Sequence, residues 1–254
     1  MIRVNNIYKK FGDNVVLNDI SVNFEPGITN LIIGRSGSGK TVLLKAIVGL
    51  NDIDRGEIWY DNILFNDLDF NGQKSIRQQI GMLFQGSALF DSLTVEENVI
   101  FPLNMFTSQS PEQKRDRVNT CLTRVNIINA NKLFPSELSG GMKKRVAIAR
   151  AIALNPKYLF CDEPNSGLDP KTAILIDTLI AEITAEFCMT TIVNTHDMNS
   201  VMEIGQKVIF INEGKKQWEG TNKEILHSDC SPLNDFVFAN KLAKQVKEEA
   251  DKRG

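Results

Sequence analysis

Cysteine is scarce in this 254-residue chain, and the four present (Cys121, Cys161, Cys188 and Cys230) stand at no metal-ligand spacing. They read as reduced thiols of a cytosolic protein. Long hydrophobic runs are missing as well. The apolar stretches at 31–33 and 99–103 fall far short of the roughly 20 residues a membrane-spanning helix requires. Arg3, Asn5 and Asn6 interrupt the apolar core that a secretory signal would need, so none is expected. There is no basic excess either: 29 Lys and Arg stand against 31 Asp and Glu. That balance argues against a dedicated duplex-binding domain and predicts no nucleic-acid partner. What remains is 42% hydrophobic and 24% charged, an ordinary globular composition that excludes fibrous repeats and general disorder.

Short apolar runs open the chain. Alternation at 2–4 and 20–24 and an apolar run at 15–17 predict strands, and a further run at 31–33 ends at Gly34. Strands are also predicted at 56–60, 80–84, 158–161, 190–193, 207–211 and 216–218. Helical spacing is predicted over 40–50, 94–125, 139–154 and 170–187, with Pro102 and Pro111 breaking the second of these. Strands alternating with helices predict an α/β fold with a mainly parallel central sheet. Residues 86–155 look like a helical insertion. One domain is expected over 1–230, its core from about 1–85 and 156–230, followed by a helical tail at 231–254. The cluster Lys143-Lys144-Arg145 reads as a solvated helix face.

The sharpest motif is Gly34-Arg35-Ser36-Gly37-Ser38-Gly39-Lys40-Thr41, a match to G-x-x-x-x-G-K-[ST] lying between a predicted strand and a predicted helix. Its glycines let the backbone wrap so that several N–H groups converge on phosphate oxygens. The helix N-terminus that follows favours negative charge. Lys40 is expected to reach the β- and γ-phosphates, and the Thr41 hydroxyl to coordinate Mg²⁺. A partner for such a loop appears at Asp162 and Glu163, at the carboxyl end of the run at 158–161, where ligands of open parallel sheets bind. Asp162 is expected to hold Mg²⁺ and Glu163 to orient or deprotonate an attacking water. Ser139, Gly140 and Gly141 open another helix with a capping serine and bare N–H groups. A second anion-gripping terminus with only one phosphate loop suggests a site shared between two copies.

In this order the motifs resemble the ATP-binding cassette (ABC) ATPases: phosphate loop, Gln85, Leu138-Ser139-Gly140-Gly141, Asp162-Glu163, Ser166-Gly167-Leu168-Asp169, His196. The resemblance spans roughly residues 2–230. It implies a P-loop NTPase fold of the ABC type, with an amino-terminal antiparallel β subdomain, a mainly parallel core sheet and an inserted α-helical subdomain. It also implies ATP and Mg²⁺ as ligands and ATP hydrolysis as the activity. Phe11 then corresponds to the aromatic residue that stacks on adenine. Gln85 would reach Mg²⁺ and the attacking water, His196 would contact the γ-phosphate, and Asp169 would lie at a dimer seam. Ser139, Gly140 and Gly141 of one subunit would close on nucleotide held by the other in a head-to-tail homodimer. The resemblance gives His227 no role.

A finer resemblance lies in residues 82–99, in Phe101-Pro102-Leu103, in residues 135–142 and in the segment 228–238, with Met142 standing where most ABC transporters carry Gln. These are similar to the Mla-type phospholipid-trafficking ATPases that work with MCE proteins. That likeness implies a separate integral membrane permease, an MCE-type substrate-binding partner and a peripheral place on the cytoplasmic side of the bacterial inner membrane. Ala88, Leu89 and Phe90 beside Pro102 would form the socket for the permease. Two other assignments compete: an amino-acid, metal or lipoprotein transport system using the same engine, and an ABC ATPase acting on nucleic acid or ribosomes.

Overall fold

The computed structural model describes residues 1–238. Strands β1 (Ile2–Phe11) and β2 (Asn14–Phe24) form an antiparallel hairpin. The two runs expected at 15–17 and 20–24 are one strand. Between Leu17 and Ile20 that strand carries one extra residue, where Asp19 turns to φ 59°; this is a bulge and not an interruption. With β4 (Arg55–Tyr60) and β5 (Ile63–Leu64), following β3 (Thr29–Ile33) in the chain, the hairpin makes a four-stranded sheet ordered β2-β1-β4-β5. The core sheet takes β3 together with β6 (Ile80–Leu83), β7 (Tyr158–Asp162), β8 (Thr190–Thr195), β9 (Lys207–Asn212) and β10 (Lys215–Gly220). Its order is β10-β9-β3-β8-β7-β6, and β10 alone runs antiparallel to its neighbour.

Every residue of β3, β7 and β8 is buried, which is why their runs 31–33, 158–161 and 192–193 are apolar instead of alternating, with buried Thr, Asn and Asp side chains toward the strand ends. Their side chains still sort by the strand period of two. Ile32, Phe160, Ile192 and Ile209 pack with the antiparallel sheet and α1 (Lys40–Ile47). Leu31, Ile33, Leu159, Cys161, Val193 and Phe210 face the other way. That second core also receives α3 (Val95–Phe106), α4 (Pro111–Arg124), α5 (Gly140–Ile152) and α6 (Pro170–Glu186). Each large apolar side chain so buried contributes about 1.5–3 kcal/mol. The core sheet is thus sealed on both faces, leaving its strand ends as the place for a site.

Two helices escape the apolar-period reading. These are α2 (Phe70–Arg77), between β5 and β6, and α7 (Met198–Ile204), after β8. Each is short and starts on an aspartate cap: Asp69 accepts from the Gly72 N–H at 2.8 Å, Asp197 from the Asn199 N–H at 2.9 Å. Pro111 does open a helix, at a position where no N–H is needed. Pro102 breaks nothing, because α3 runs through it. The bond to the carbonyl four residues back is lost there. The helix persists on its capping box at Thr94 and Glu97 and on the burial of Val95, Val99 and Leu103. A last helix, α8 (Ser231–Val237), ends the described chain, and the remainder of the expected tail, residues 239–254, lies outside it. Among the described residues no helix is long and apolar enough to cross a membrane.

Candidate functional site

The loop between β3 and α1 is built around glycines that nothing else could replace. At Gly34 (φ 149°) an added Cβ would lie 2.1 Å from the Ile211 carbonyl oxygen, and at Gly39 (φ 105°) 2.8 Å from that of Val16. The loop is therefore wedged between β2 and β9. Gly37 has φ 78° and open space where its Cβ would be, so there the backbone can meet a ligand directly. Lys40 is the first residue of α1 and is 6% exposed. Its Nζ donates to the Gly34 carbonyl at 2.9 Å and the Arg35 carbonyl at 3.0 Å, which holds it across the mouth of the loop. Burial lowers its pKa, opposed by the charges of Glu163 and Asp162.

Asp162 ends β7 and Asn194 lies beside it on β8. The Thr41 hydroxyl donates to Asp162 Oδ1 at 3.3 Å, and Asn194 Nδ2 donates to the same oxygen at 2.6 Å and to Thr41 Oγ1 at 3.2 Å. Two hard oxygens 3.3 Å apart match adjacent corners of an Mg²⁺ octahedron, which are about 3 Å apart when each ligand sits about 2.1 Å from the ion. Among the described residues no cluster of three His, Cys, Asp or Glu side chains could hold a metal alone. The residues present therefore fit Mg²⁺ that completes its shell with phosphate and water. Glu163 follows in a left-handed conformation (φ 50°), its N–H bonded to the Asn194 carbonyl at 2.9 Å. This geometry aims its carboxylate at His196, whose Nδ1 lies 2.8 Å away. A carboxylate can only accept, so Nδ1 carries the proton.

One cavity of about 620 Å³ is lined by Arg35, Ser36, Gly37, Gly39, Lys40, Thr41, Gln85, Glu163 and His196. Val16, Val42 and Phe236 complete its wall. Ser38 lies under the loop, buried, its Oγ without a partner. Gln85 reaches Ser166 Oγ at 3.4 Å, and its carbonyl accepts from the Lys144 ammonium. Lys144 is 4% exposed, which corrects the reading of residues 143–145 as a solvated face. Burial lowers its pKa, and it ties α5 to the edge of the site. Phe11 stands apart. It closes β1 about half exposed, with the Lys9 ammonium 5.2 Å from its ring centre, and it does not line the cavity.

Ser139, Gly140 and Gly141 are not brought to this cavity. Ser139 caps α5, accepting from the Met142 N–H at 3.2 Å. All three line a different cavity with Gly167, Leu168 and Asp169. There the Gly141 Cα is pressed so close to Thr172 that an added Cβ would lie 2.7 Å from a methyl group. Asp169 caps α6, accepting from the Thr172 N–H at 3.0 Å and its hydroxyl at 2.5 Å. Hydrogen bonding to Thr172 lowers its pKa.

Asn194, beside the cavity, and the apolar wall residues Val16, Val42 and Phe236 escaped the motif reading as site residues. Asn194 could have been found as an amide within a wholly buried strand, a position that demands hydrogen-bond partners. Phe236 lies in the segment 228–238, which entered the sequence reading only through the finer resemblance, with nothing in it that points to the cavity.

The ABC transporter family model matches residues 17–166. The methionine import ATP-binding protein MetN of Campylobacter jejuni is 37% identical over 253 residues, covering 93% of this chain and 75% of that protein. The Fe(3+) ions import ATP-binding protein FbpC of Fusobacterium nucleatum is 35% identical, covering 93% of this chain and 61% of its own length. Among solved structures, a dimeric ATP-binding cassette in a post-hydrolysis state bound to ADP and Pi superposes with a TM-score of 0.79 at 36% identity, covering 87% of this chain and 99% of that one. The cbiO1 protein of Clostridium perfringens, part of the ABC transporter complex cbiONQ, superposes with a TM-score of 0.84 at 28% identity, covering 98% of each chain.

Proposed function

The chain belongs to the ABC transporter family as an ATP-binding, ATP-hydrolysing subunit, and on that premise we propose that it drives import of a small solute through a separate membrane permease. The observation that carries the chemistry is the single cavity holding the phosphate loop, Lys40 and the Glu163–His196 pair. The loop N–H groups and Lys40 bind and orient the phosphates of ATP. Thr41 and Asp162 would hold Mg²⁺, which when bound neutralises phosphate charge. Glu163 orients and deprotonates the attacking water, held by His196, which also contacts the γ-phosphate. Gln85 links this site to the helical insertion through Lys144 and to the loop after β7 through Ser166. Phe11 serves the adenine from the exposed end of β1.

Because Ser139, Gly140 and Gly141 open on their own cavity, a second copy supplies them to the nucleotide. Two chains arranged head to tail therefore form two sites. The similar cassette bound to ADP and Pi is dimeric, which supports this arrangement. The permease would insert a helix into the apolar hollow lined by Phe84, Ala88, Phe90, Phe101, Pro102 and Phe106, rimmed by Arg77 and Arg150. The similar cbiO1 protein is itself part of a transporter complex. On this reading the chain sits at the cytoplasmic face of a membrane, held there by its partner.

For cargo, the methionine and iron import relatives favour the amino-acid or metal reading over phospholipid trafficking. The phospholipid reading, with its MCE-type partner, rests on residues 82–99 and on Met142, which packs half-buried against the core at the start of α5. Assaying the purified complex for ATP turnover stimulated by amino acids, metal ions or phospholipid vesicles separates them; stimulation by phospholipid alone overturns the import reading. For the chemistry, Glu163→Gln should keep ATP binding and lose about 10²–10⁴ in turnover. Unchanged turnover would remove Glu163 from that role.

A further inference from the structure

The nucleotide cavity has one wall that no phosphate-loop chemistry explains. Phe236 comes from α8, some seventy residues beyond the last residue matched by the family model. Leu233 and Val237, four residues apart on one face of α8, are buried in the core that contains Phe210. The Asn234 side-chain amide fixes the start of the helix by donating to the Ser228 carbonyl at 2.8 Å. With that face committed to the core, Phe236 lies about 100° around the helix from Val237. Its ring rests against Phe210, centre to centre 5.6 Å at 33°. Phe210 pairs with Ile33, the residue before Gly34. The partly buried ring is therefore seated at the root of the phosphate loop and forms part of the wall of the cavity that Arg35, Ser36 and His196 also line.

An apolar ring cannot bind phosphate, but it can keep water from competing for the loop N–H groups. Hydrogen bonds to an anion strengthen as the local dielectric falls. We infer that Phe236 is a positioning residue of the nucleotide site, and that docking of helix α8 and occupancy of the phosphate loop are coupled through its ring. The inference rests on the nucleotide reading of that cavity. The coupling is reciprocal: whatever loosens α8 weakens nucleotide binding by the factor with which nucleotide tightens α8. A ring that merely filled the core would show neither effect.

The test compares the full chain with Phe236→Ala, Phe236→Leu and Lys40→Ala, using Mg²⁺ and a non-hydrolysable ATP analogue. Phe236→Ala should bind the analogue about tenfold more weakly, about 1.4 kcal/mol by the standard conversion, and should raise the KM for ATP more than it lowers kcat. Phe236→Leu, which keeps an apolar wall, should recover most of the loss. Hydrogen exchange of the α8 amides should slow on adding analogue to the unaltered chain, and should not change in Phe236→Ala or Lys40→Ala. Equal analogue affinity in Phe236→Ala, or α8 exchange indifferent to analogue in the unaltered chain, overturns the coupling. If Phe236→Ala is poorly folded, the Leu variant and the exchange of the unaltered chain decide the matter. Failure of the unaltered chain to bind analogue would overturn the nucleotide reading itself, and the coupling with it.

Discussion

Replacing Asp177 with asparagine should stabilise the protein at neutral pH, by an amount that shrinks as the solution is acidified. Asp177 sits on α6 with 1% of its surface exposed, and its Oδ1 has no hydrogen-bond partner. Burial pushes its pKa up to about 6 from the ordinary 3.8, and the charges of Asp197 and Glu203 push the same way. Hydrogen bonds from Ser200 and Asn165 pull back. Because the folded value is raised, the native state holds this proton more tightly than the unfolded chain does. Stability from this group is therefore complete below about pH 4 and is lost as pH rises through about 6. The gap between 3.8 and about 6, at about 1.4 kcal/mol per pH unit, amounts to on the order of 3 kcal/mol. Asparagine cannot ionise and keeps the shape, so at about pH 7.5 it should recover much of that, a Tm rise of roughly 5–10 °C for a chain this long. Urea unfolding of both proteins between about pH 5 and about pH 8 checks it, since their difference cancels every other titrating group. A parallel pair of pH profiles, or a variant weaker throughout, would refute the reasoning.

Lys40→Ala should abolish productive nucleotide binding, measurable as loss of the ATP-induced rise in Tm; normal turnover in that variant refutes the phosphate-loop assignment. Mixing a Ser139→Ala variant with a Lys40→Ala variant should restore at most one working site per dimer, read as partial ATPase activity from two individually weak proteins; full activity of isolated monomers would defeat the shared site. Gly34→Ala must push a methyl into the Ile211 carbonyl, so chemical denaturation should show a loss on the order of 3 kcal/mol. Wild-type stability would mean that β9 yields easily.

Residues whose chemistry dictates their neighbours were the legible part of the site. Lys40 and Thr41 announced themselves because a phosphate cradle needs glycines at fixed offsets, and Asp162 because a carboxylate ending an apolar run has few other uses. The core strands were readable because burial on both faces leaves unbroken apolar runs at 31–33 and 158–161. Asn194 went unread, since the partners of its amide nitrogen, Asp162 and Thr41, come together only when the register pairs β7 with β8. Lys144 was misread because charge in a helix ordinarily means solvent, and only the fold brings it the Gln85 carbonyl. Pro102 was misjudged for a related reason: local sequence weighs a lost hydrogen bond but not the packing of Val99 and Leu103 that outweighs it. Short capped helices such as α2 and α7 span too few turns and bury too few apolar residues to register.

The phosphate loop and the Ser139 cap open on different cavities of the same polypeptide, and under the head-to-tail pairing proposed above a damaged copy would be harmful beyond its own loss. In a mixed population, fully competent pairs fall as the square of the intact fraction, because one faulty cap spoils a catalytic centre that a sound neighbour has already loaded with fuel. Lesions at Ser139 should therefore behave as poisons in the presence of the normal gene product, whereas simply lowering the amount of protein would not.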